Sequence, residues 1–328
     1  MTSMFRCYLV NEEKRGAIGK LSMTDLPAGE VLIRGRYSSL NYKDALAATG
    51  HPGVARQLPH IPGIDVAGYV EECTTGDFQP GEQVLVTGYE LGAPRWGGWS
   101  EFVRVPAEWV VRVPPSLSLR DVMVLGTAGF TAAQGVGALR LHGITPEKGE
   151  ILVTGASGGV GSIAVAILAR LGYQVVAMTG KEAAQEKLVR WGASRVIGRE
   201  QIHVAAEKPL LPTRWAGAID TVGGQVLATV LKETAHRGCV ATCGNVAGVE
   251  LPLTVFPFIL RGVKLDGIDS AMCPHPQRLE IWKRLAKEWL PADLDGFATE
   301  VGLAELSDYV EQILQGQIVG RIVVDLQG

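Results

Sequence analysis

Between Glu150 and Leu171 the chain reads Glu-Ile-Leu-Val-Thr-Gly-Ala-Ser-Gly-Gly-Val-Gly-Ser-Ile-Ala-Val-Ala-Ile-Leu-Ala-Arg-Leu. These residue types in this order suit the binding of a dinucleotide. Glycine lets backbone approach a pyrophosphate closely, and the orphan amides and positive dipole end of a following helix favour its charge. Ala156, Gly158 and Gly161 occupy the three positions of G-x-G-x-x-G, with Gly155 just before them. The context supplies what a lone glycine fingerprint lacks. Ile151 to Val153 read as a buried strand, Ile163 to Leu171 as an apolar helix and Gln174 to Met178 as a second strand, which completes a βαβ unit.

About 20 residues beyond the glycines, an NAD site places a carboxylate on the ribose hydroxyls. This chain has Met178-Thr179-Gly180-Lys181 at that place. A hydroxyl, a glycine amide and an ammonium suit a ribose 2′-phosphate, and a charge-assisted bond of this kind contributes roughly 1.5–3 kcal/mol. The pattern therefore points to NADPH. Thr179-x-x-Glu182 has capping-box spacing, which assigns Glu182 to the start of a helix and not to the cofactor.

The elements that must position these groups fit a two-domain protein. The chain has 328 residues, 47% hydrophobic and 20% charged, enough material for two cores. From Met1 to about Met123 it offers short β-branched runs punctuated by proline and glycine, such as 31–34, 66–70, 83–86 and 101–105, which reads as a mostly β domain. A helix is expected over 122–141. Strands and helices then alternate, with strands at 195–197, 215–222, 238–243 and 263–268, which implies a parallel sheet covered by helices. The tail carries an amphipathic stretch at 277–289 and a strand at 321–325, and it is expected to return to the first domain.

A net charge of −3 and the lack of a basic run argue against a nucleic-acid partner. The apolar run from Val160 is interrupted at Arg170, and the N-terminus has no apolar signal segment, so a cytoplasmic protein with no membrane partner is expected. Cys7, Cys73, Cys239, Cys243 and Cys273 are scattered without a C-x-x-C pair, which fits neither a disulfide framework nor a cysteine-rich zinc site. Cys239 and Cys243 are expected to be buried reduced thiols.

Several ordered motifs carry a resemblance over nearly the whole chain. They are Asn41-Tyr-Lys-Asp44, Pro62-Gly-Ile-Asp-Val-Ala-Gly68, Gly81-Glu-Gln-Val-Leu-Val86, Gly97-Gly-Trp-Ser-Glu-Phe102 and the turn from Gly155 to Gly161. With them the sequence resembles the medium-chain dehydrogenases/reductases. The resemblance implies an α/β fold: a GroES-like β-rich catalytic domain over 1–123, a Rossmann doubly wound parallel-sheet NADPH-binding domain over 124–270, and a return to the catalytic domain over 271–328. Zinc-dependent members bind a catalytic metal with two cysteines and a histidine, and the corresponding places here are Asn41, Ile64 and Ala128. Isoleucine and alanine have no donor atom, and a catalytic zinc needs three protein ligands, so no metal is expected. The segment 89–98, where the structural zinc lobe would begin, has no cysteine.

The chain thus resembles the zinc-independent quinone-reductase and enoyl-reductase branch. More narrowly, Thr179-Gly-Lys181, Phe256-Pro-Phe-Ile-Leu-Arg261 and Gly267-Ile-Asp-Ser270 look like the NADPH-dependent acrylyl-CoA reductase group. That likeness implies that Ser157, Gly158, Gly159 and Val160 cradle the pyrophosphate. It assigns Thr179, Gly180 and Lys181, with Arg199, to the 2′-phosphate, and places Tyr42 beside the nicotinamide. Val246, Ile259, Ser270 and Gln317 complete the expected cofactor surface. The expected catalytic set is Tyr42 as donor or positioning hydroxyl, with Asn41 and Asp44 organising the pocket, and Asp44 has the alternative of a turn or capping residue. Related enoyl reductases carry a tyrosine where this chain has Leu46. Arg56, Arg95 and Arg321 are open to reading as phosphate partners or as solvated arginines.

The activity implied is NADPH-dependent reduction of the C=C bond of a small 2-enoyl-CoA, foremost acrylyl-CoA to propionyl-CoA. A quinone oxidoreductase is the alternative enzyme, and a non-catalytic NADPH-binding sensor or structural protein the alternative of another class. In relatives the last strand of the nucleotide sheet, here 263–268, pairs with its symmetry mate, so a homodimer is expected.

Overall fold

The computed structural model describes residues 4–202 and 208–328. Along the chain the strands are β1 (Met4–Val10), β2 (Gly16–Ser22), β3 (Val31–Leu40), β4 (Asp65–Cys73), β5 (Gln83–Thr87), β6 (Phe102–Val105) and β7 (Val111–Arg112). There follow β8 (Ile151–Val153), β9 (Val175–Met178), β10 (Arg195–Ile197), β11 (Trp215–Asp220), β12 (Thr234–Thr242), β13 (Lys264–Gly267), β14 (Ala298–Gly302) and β15 (Arg321–Asp325). The helices are α1 (Tyr42–Ala48), α2 (Leu119–Leu141), α3 (Gly159–Arg170), α4 (Gln185–Arg190), α5 (Gly224–Glu233), α6 (Phe256–Arg261), α7 (His275–Leu285) and α8 (Leu306–Leu314).

The chain divides into two units. The first comprises Met1–Thr127, Ala271–Ala286 and Asp293–Gly328, and the second Ala128–Ser270 with Lys287–Ala292. In the first unit a seven-stranded sheet runs β14-β15-β3-β4-β5-β7, with β6 also paired to β3, while β1 and β2 form a separate hairpin. Pairing is antiparallel throughout except between β14 and β15. Its core gathers Phe5, Ile33, Leu40, Val66, Val86 and Ile322 around Trp99. The Trp99 indole N–H donates to the Ser39 carbonyl at 3.0 Å, which satisfies the polar atom that its burial would otherwise strand.

The second unit is built on a six-stranded sheet in the order β10-β9-β8-β11-β12-β13, parallel in every pairing. Strands β8, β9 and β11 are buried at every residue, as a sheet covered on both faces requires. The order reverses at β8, and in such folds ligands bind outside the carboxyl ends of the strands at that switch point.

Some boundaries differ from the sequence reading. The helix expected from 122 starts at Leu119 and is broken at Gly126, whose φ of 51° and ψ of −158° no helical residue adopts. The stretch 277–289 is helical only over His275–Leu285, and the last strand of the nucleotide sheet is four residues long. By length and hydropathy α2 could cross a membrane, but 83% of its apolar window is buried inside the protein, as in a core helix.

Candidate functional site

In the second unit the chain leaves β8 and turns at Gly155, whose φ of 58° favours glycine. The Ala156 N–H donates to the Met178 carbonyl at 3.0 Å, fastening the turn to the end of β9. Gly158 is the N-cap of α3 and offers no side chain to cap it, so the first-turn amides stay open to an anion. A Cβ on Gly161 would collide with the Gly155 carbonyl oxygen and lie 2.7 Å from the Ala156 Cα. The helix therefore rests directly on the backbone of the turn. Glycine at this place keeps the cradle narrow.

The end of β9 supplies the next part. The Thr179 hydroxyl donates to the Ser157 Oγ at 2.9 Å and accepts the Lys181 N–H at 3.1 Å. Glu182 opens a short helix, as its spacing predicts, but Thr179 is not its cap: Thr179 is buried with its hydroxyl committed to Ser157, and Lys181 is the N-cap. A Cβ on Gly180 would lie 2.7 Å from the Arg199 Nε, so glycine lets the guanidinium lie close over the backbone there. Burial first, and then the charge of Arg199, pushes the Lys181 ammonium below the usual lysine range. Two cations held close enough to disfavour each other, on a loop that the Thr179 hydroxyl pins in place, form a donor set that fits a phosphate monoester.

Around this cradle the sheet presents further groups. Val246 and Ile259 are largely exposed, and Ser270 accepts a hydrogen bond from the Thr131 hydroxyl at 2.8 Å. A cleft of about 540 Å³ opens at the carboxyl ends of β12 and β13, lined by Thr242, Cys243, Gly244, Asn245, Gly267, Ile268 and Asp269. Sequence reasoning missed Asp220. Fully buried at the end of β11, it accepts from the Thr154 hydroxyl at 2.7 Å, the Gly223 N–H at 2.9 Å and the Thr242 hydroxyl at 3.1 Å. Burial raises its pKa against these bonds, and it ties together the loops that follow β8, β11 and β12. A lone carboxylate ending the apolar run Trp215-Ala-Gly-Ala-Ile-Asp220 was the available signal.

Four of the sequence-predicted residues lie in the first unit. Tyr42 opens α1 and is 42% exposed, free to meet a ligand. Asn41 is the N-cap, but its side chain does not cap the helix. Its amide donates to Asp65, Asp44 and Ser39, and its oxygen accepts from Arg321. Asp44 is fully buried and accepts the Asn41 N–H at 2.8 Å and the Ile64 N–H at 2.7 Å. It ties the start of α1 to Ile64 from inside the unit. Burial and the neighbouring Asp65 push its carboxyl up to about 7, opposed by the N–H donors. Gln317 is exposed, with its amide donating to Gln315 at 2.8 Å.

The arginines divide. Arg56 is exposed, and Arg95 donates to the Ala28 carbonyl while covering the Trp109 ring. Arg321 corrects both sequence readings, because at 2% exposure it is neither solvated nor within reach of an external phosphate. Cys239 is buried, and burial pushes its thiol up to about 12; the same holds for the thiol of the half-buried Cys243. Among the described residues no group of three or more His, Cys, Asp or Glu is placed to hold a metal ion.

Residues 27–115 match the alcohol dehydrogenase GroES-like domain family, and residues 159–287 the zinc-binding dehydrogenase family. The chain is 44% identical to the acrylyl-CoA reductase AcuI of Ruegeria pomeroyi, over 98% of this chain and 99% of that protein. It is 47% identical to YhfP of Bacillus subtilis, which carries the name of a quinone oxidoreductase, over 93% of each. The solved structure of Escherichia coli K-12 YhdH with bound NADPH superposes with a TM-score of 0.94, at 46% identity over 98% of this chain and 99% of that one.

Proposed function

This chain belongs to the medium-chain dehydrogenase/reductase family, in the group of acrylyl-CoA reductases and quinone oxidoreductases, and on that premise we propose that it reduces the C=C bond of a small 2-enoyl-CoA with NADPH, foremost acrylyl-CoA to propionyl-CoA. The observation that carries this reading is a full-length likeness to an acrylyl-CoA reductase in a chain that keeps an intact donor set for a ribose phosphate. Ser157, Gly158, Gly159 and Val160 hold the pyrophosphate on the open amides of α3, and Thr179, Gly180, Lys181 and Arg199 hold the 2′-phosphate. Val246, Ile259, Ser270 and Gln317 line the rest of the coenzyme.

When bound, NADPH supplies a hydride to the β-carbon of the acceptor. As that bond forms, negative charge moves to the thioester oxygen, where a fixed hydrogen-bond donor lowers the barrier, and a proton taken up at the α-carbon completes the product. Tyr42 is the exposed hydroxyl assigned to that oxygen, and Asn41 and Asp44 fix the helix turn that presents it. A conjugated acceptor of this kind needs no Lewis acid to form its enolate. The residues at the zinc-ligand places agree, since Ile64 and Ala128 carry no donor atom.

The name of YhfP supports a second reading, in which a quinone accepts the hydride. Leu46, at the place of the tyrosine of other enoyl reductases, motivates a third, a protein that binds NADPH without turnover. Acrylyl-CoA, crotonyl-CoA and a quinone assayed side by side with NADPH separate the three. Oxidation with quinone alone would reverse the ranking, and tight binding without oxidation would favour the sensor. The reading includes a cytosolic site of action. It also includes a homodimer formed through β13, an edge strand preceded in the chain by the exposed apolar residues Val255, Phe256 and Leu260.

A further inference from the structure

Behind Tyr42 lies a sealed polar cluster that the roles above leave unexplained. Asp44, Asp65 and Arg321 are each at most 2% exposed, so two carboxylates and one guanidinium occupy the interior of the first unit. Asp65 accepts from the Ser39 hydroxyl at 2.6 Å, the Asn41 amide at 2.8 Å and the Thr127 hydroxyl at 2.6 Å. Arg321 reaches in from β15. Its Nε donates to the Val124 carbonyl at 2.9 Å, and its Nη1 to the Leu40 carbonyl at 3.3 Å and to the Asn41 Oδ1 at 3.0 Å. One planar fork thus fastens the end of β3, the N-cap of α1 and the segment entering the break at Gly126.

Buried ionic groups of this kind are a poor source of stability, because desolvation offsets most of their attraction and apolar replacements often fold as well or better. In some proteins what they supply instead is a fixed geometry. The cluster bears the marks of that use. The Arg321 Nη2 is buried with no hydrogen-bond partner among the described residues. A Cβ on Gly126 would lie 2.6 Å from the Asp65 Oδ2 and 2.9 Å from that same Nη2. Both polar ends of the Asn41 side chain are engaged, the oxygen by Arg321 and the amide by Asp65, Asp44 and Ser39. The next residue is Tyr42.

We propose that Arg321 is a positioning residue for the reaction, immobilising Asn41 from the interior so that the first turn of α1 presents Tyr42 in one orientation. Lysine is not an equivalent, since an ammonium sends its three N–H donors from one nitrogen, whereas the guanidinium reaches these acceptors from two nitrogens held in one rigid plane. Arg321 itself touches no substrate. The inference rests on the role of the Tyr42 hydroxyl proposed above.

A double-mutant cycle with acrylyl-CoA and saturating NADPH tests it. Tyr42→Phe and Arg321→Lys are each expected to lower kcat about 10- to 100-fold, the size of effect that a misplaced group produces. NADPH affinity should stay within about threefold in Arg321→Lys, because the phosphate donors lie in the other unit. In the double variant kcat should fall no more than about threefold below the slower single variant. Losses that multiply in full, or an Arg321→Lys enzyme with unchanged kcat, overturn the proposal. An unchanged kcat in Tyr42→Phe overturns the underlying reading of Tyr42, and this proposal falls with it. If Arg321→Lys does not fold, Asn41→Ser cuts the same link from the other side and is held to the same non-additivity with Tyr42→Phe.

Discussion

Replacing Lys181 by methionine separates the two nicotinamide coenzymes. A charge-assisted hydrogen bond contributes roughly 1.5–3 kcal/mol, and the half-buried position of Lys181 admits enough water to place the loss at about 1–2 kcal/mol. NADPH affinity should fall about 5- to 30-fold, while NADH affinity stays within about twofold. The sign of the pH dependence follows from the same contact. Burial and Arg199 depress the Lys181 pKa in the free protein, so the ammonium loses its proton at a lower pH than an ordinary lysine. As pH rises through that lowered value, NADPH binding should weaken and NADH binding should not. Lys181→Arg keeps the charge and should remove the pH effect. Fluorescence titrations with both coenzymes, and the ratio of their kcat/KM values, measure each quantity. An unchanged ratio in Lys181→Met, or an equal loss for NADH, refutes the assignment.

Gly161→Ala forces a methyl against the backbone of Gly155 and Ala156, so the variant should lose about 1–3 kcal/mol of stability and bind NADPH more weakly than the parent by calorimetry. Asp44 carries a pH signature. Its folded pKa is raised to about 7 against an unfolded value of about 3.9, so its contribution is full below about pH 4 and is lost as pH rises through about 7, on the order of 4 kcal/mol in all. Urea unfolding should show stability falling over that window, and Asp44→Asn should flatten the slope while lowering stability at acid pH, because its amide faces N–H donors. A stable monomer in sedimentation at micromolar protein would contradict the dimer through β13, whereas a charged substitution such as Leu260→Asp should dissociate a dimer formed there.

The parts of this protein governed by neighbouring residues could be read in the sequence. The β8 strand, the glycine turn and α3 follow one another within about twenty residues, and each leaves a local mark: apolar run, glycine spacing, apolar helix. The spacing of Thr179 and Glu182 locates the helix start at Glu182 but not its cap, because the partner that takes the Thr179 hydroxyl, Ser157, lies far back in the chain. Arg321 was misread for a stronger version of the same reason. A surface arginine and a buried one look alike in sequence, and the groups that allow its burial are the Leu40 carbonyl and Asn41, 281 and 280 residues away. Asp65 and Asp220 left a fainter trace, carboxylates set in apolar strand runs, where charge is tolerated only with partners. The break in α2 at Gly126 was hidden because glycine in a helical pattern does not reveal that Asp65 and Arg321 occupy the space where a side chain would go.

The proposed reduction is tested most directly by following the transferred hydrogen. Acrylyl-CoA incubated with the protein and NADPH carrying deuterium at both nicotinamide C4 positions should yield propionyl-CoA with one deuterium at the β-carbon, seen by mass spectrometry and NMR of the acyl group. Propionyl-CoA without that label, or unreacted acrylyl-CoA beside intact NADPH, would contradict the account.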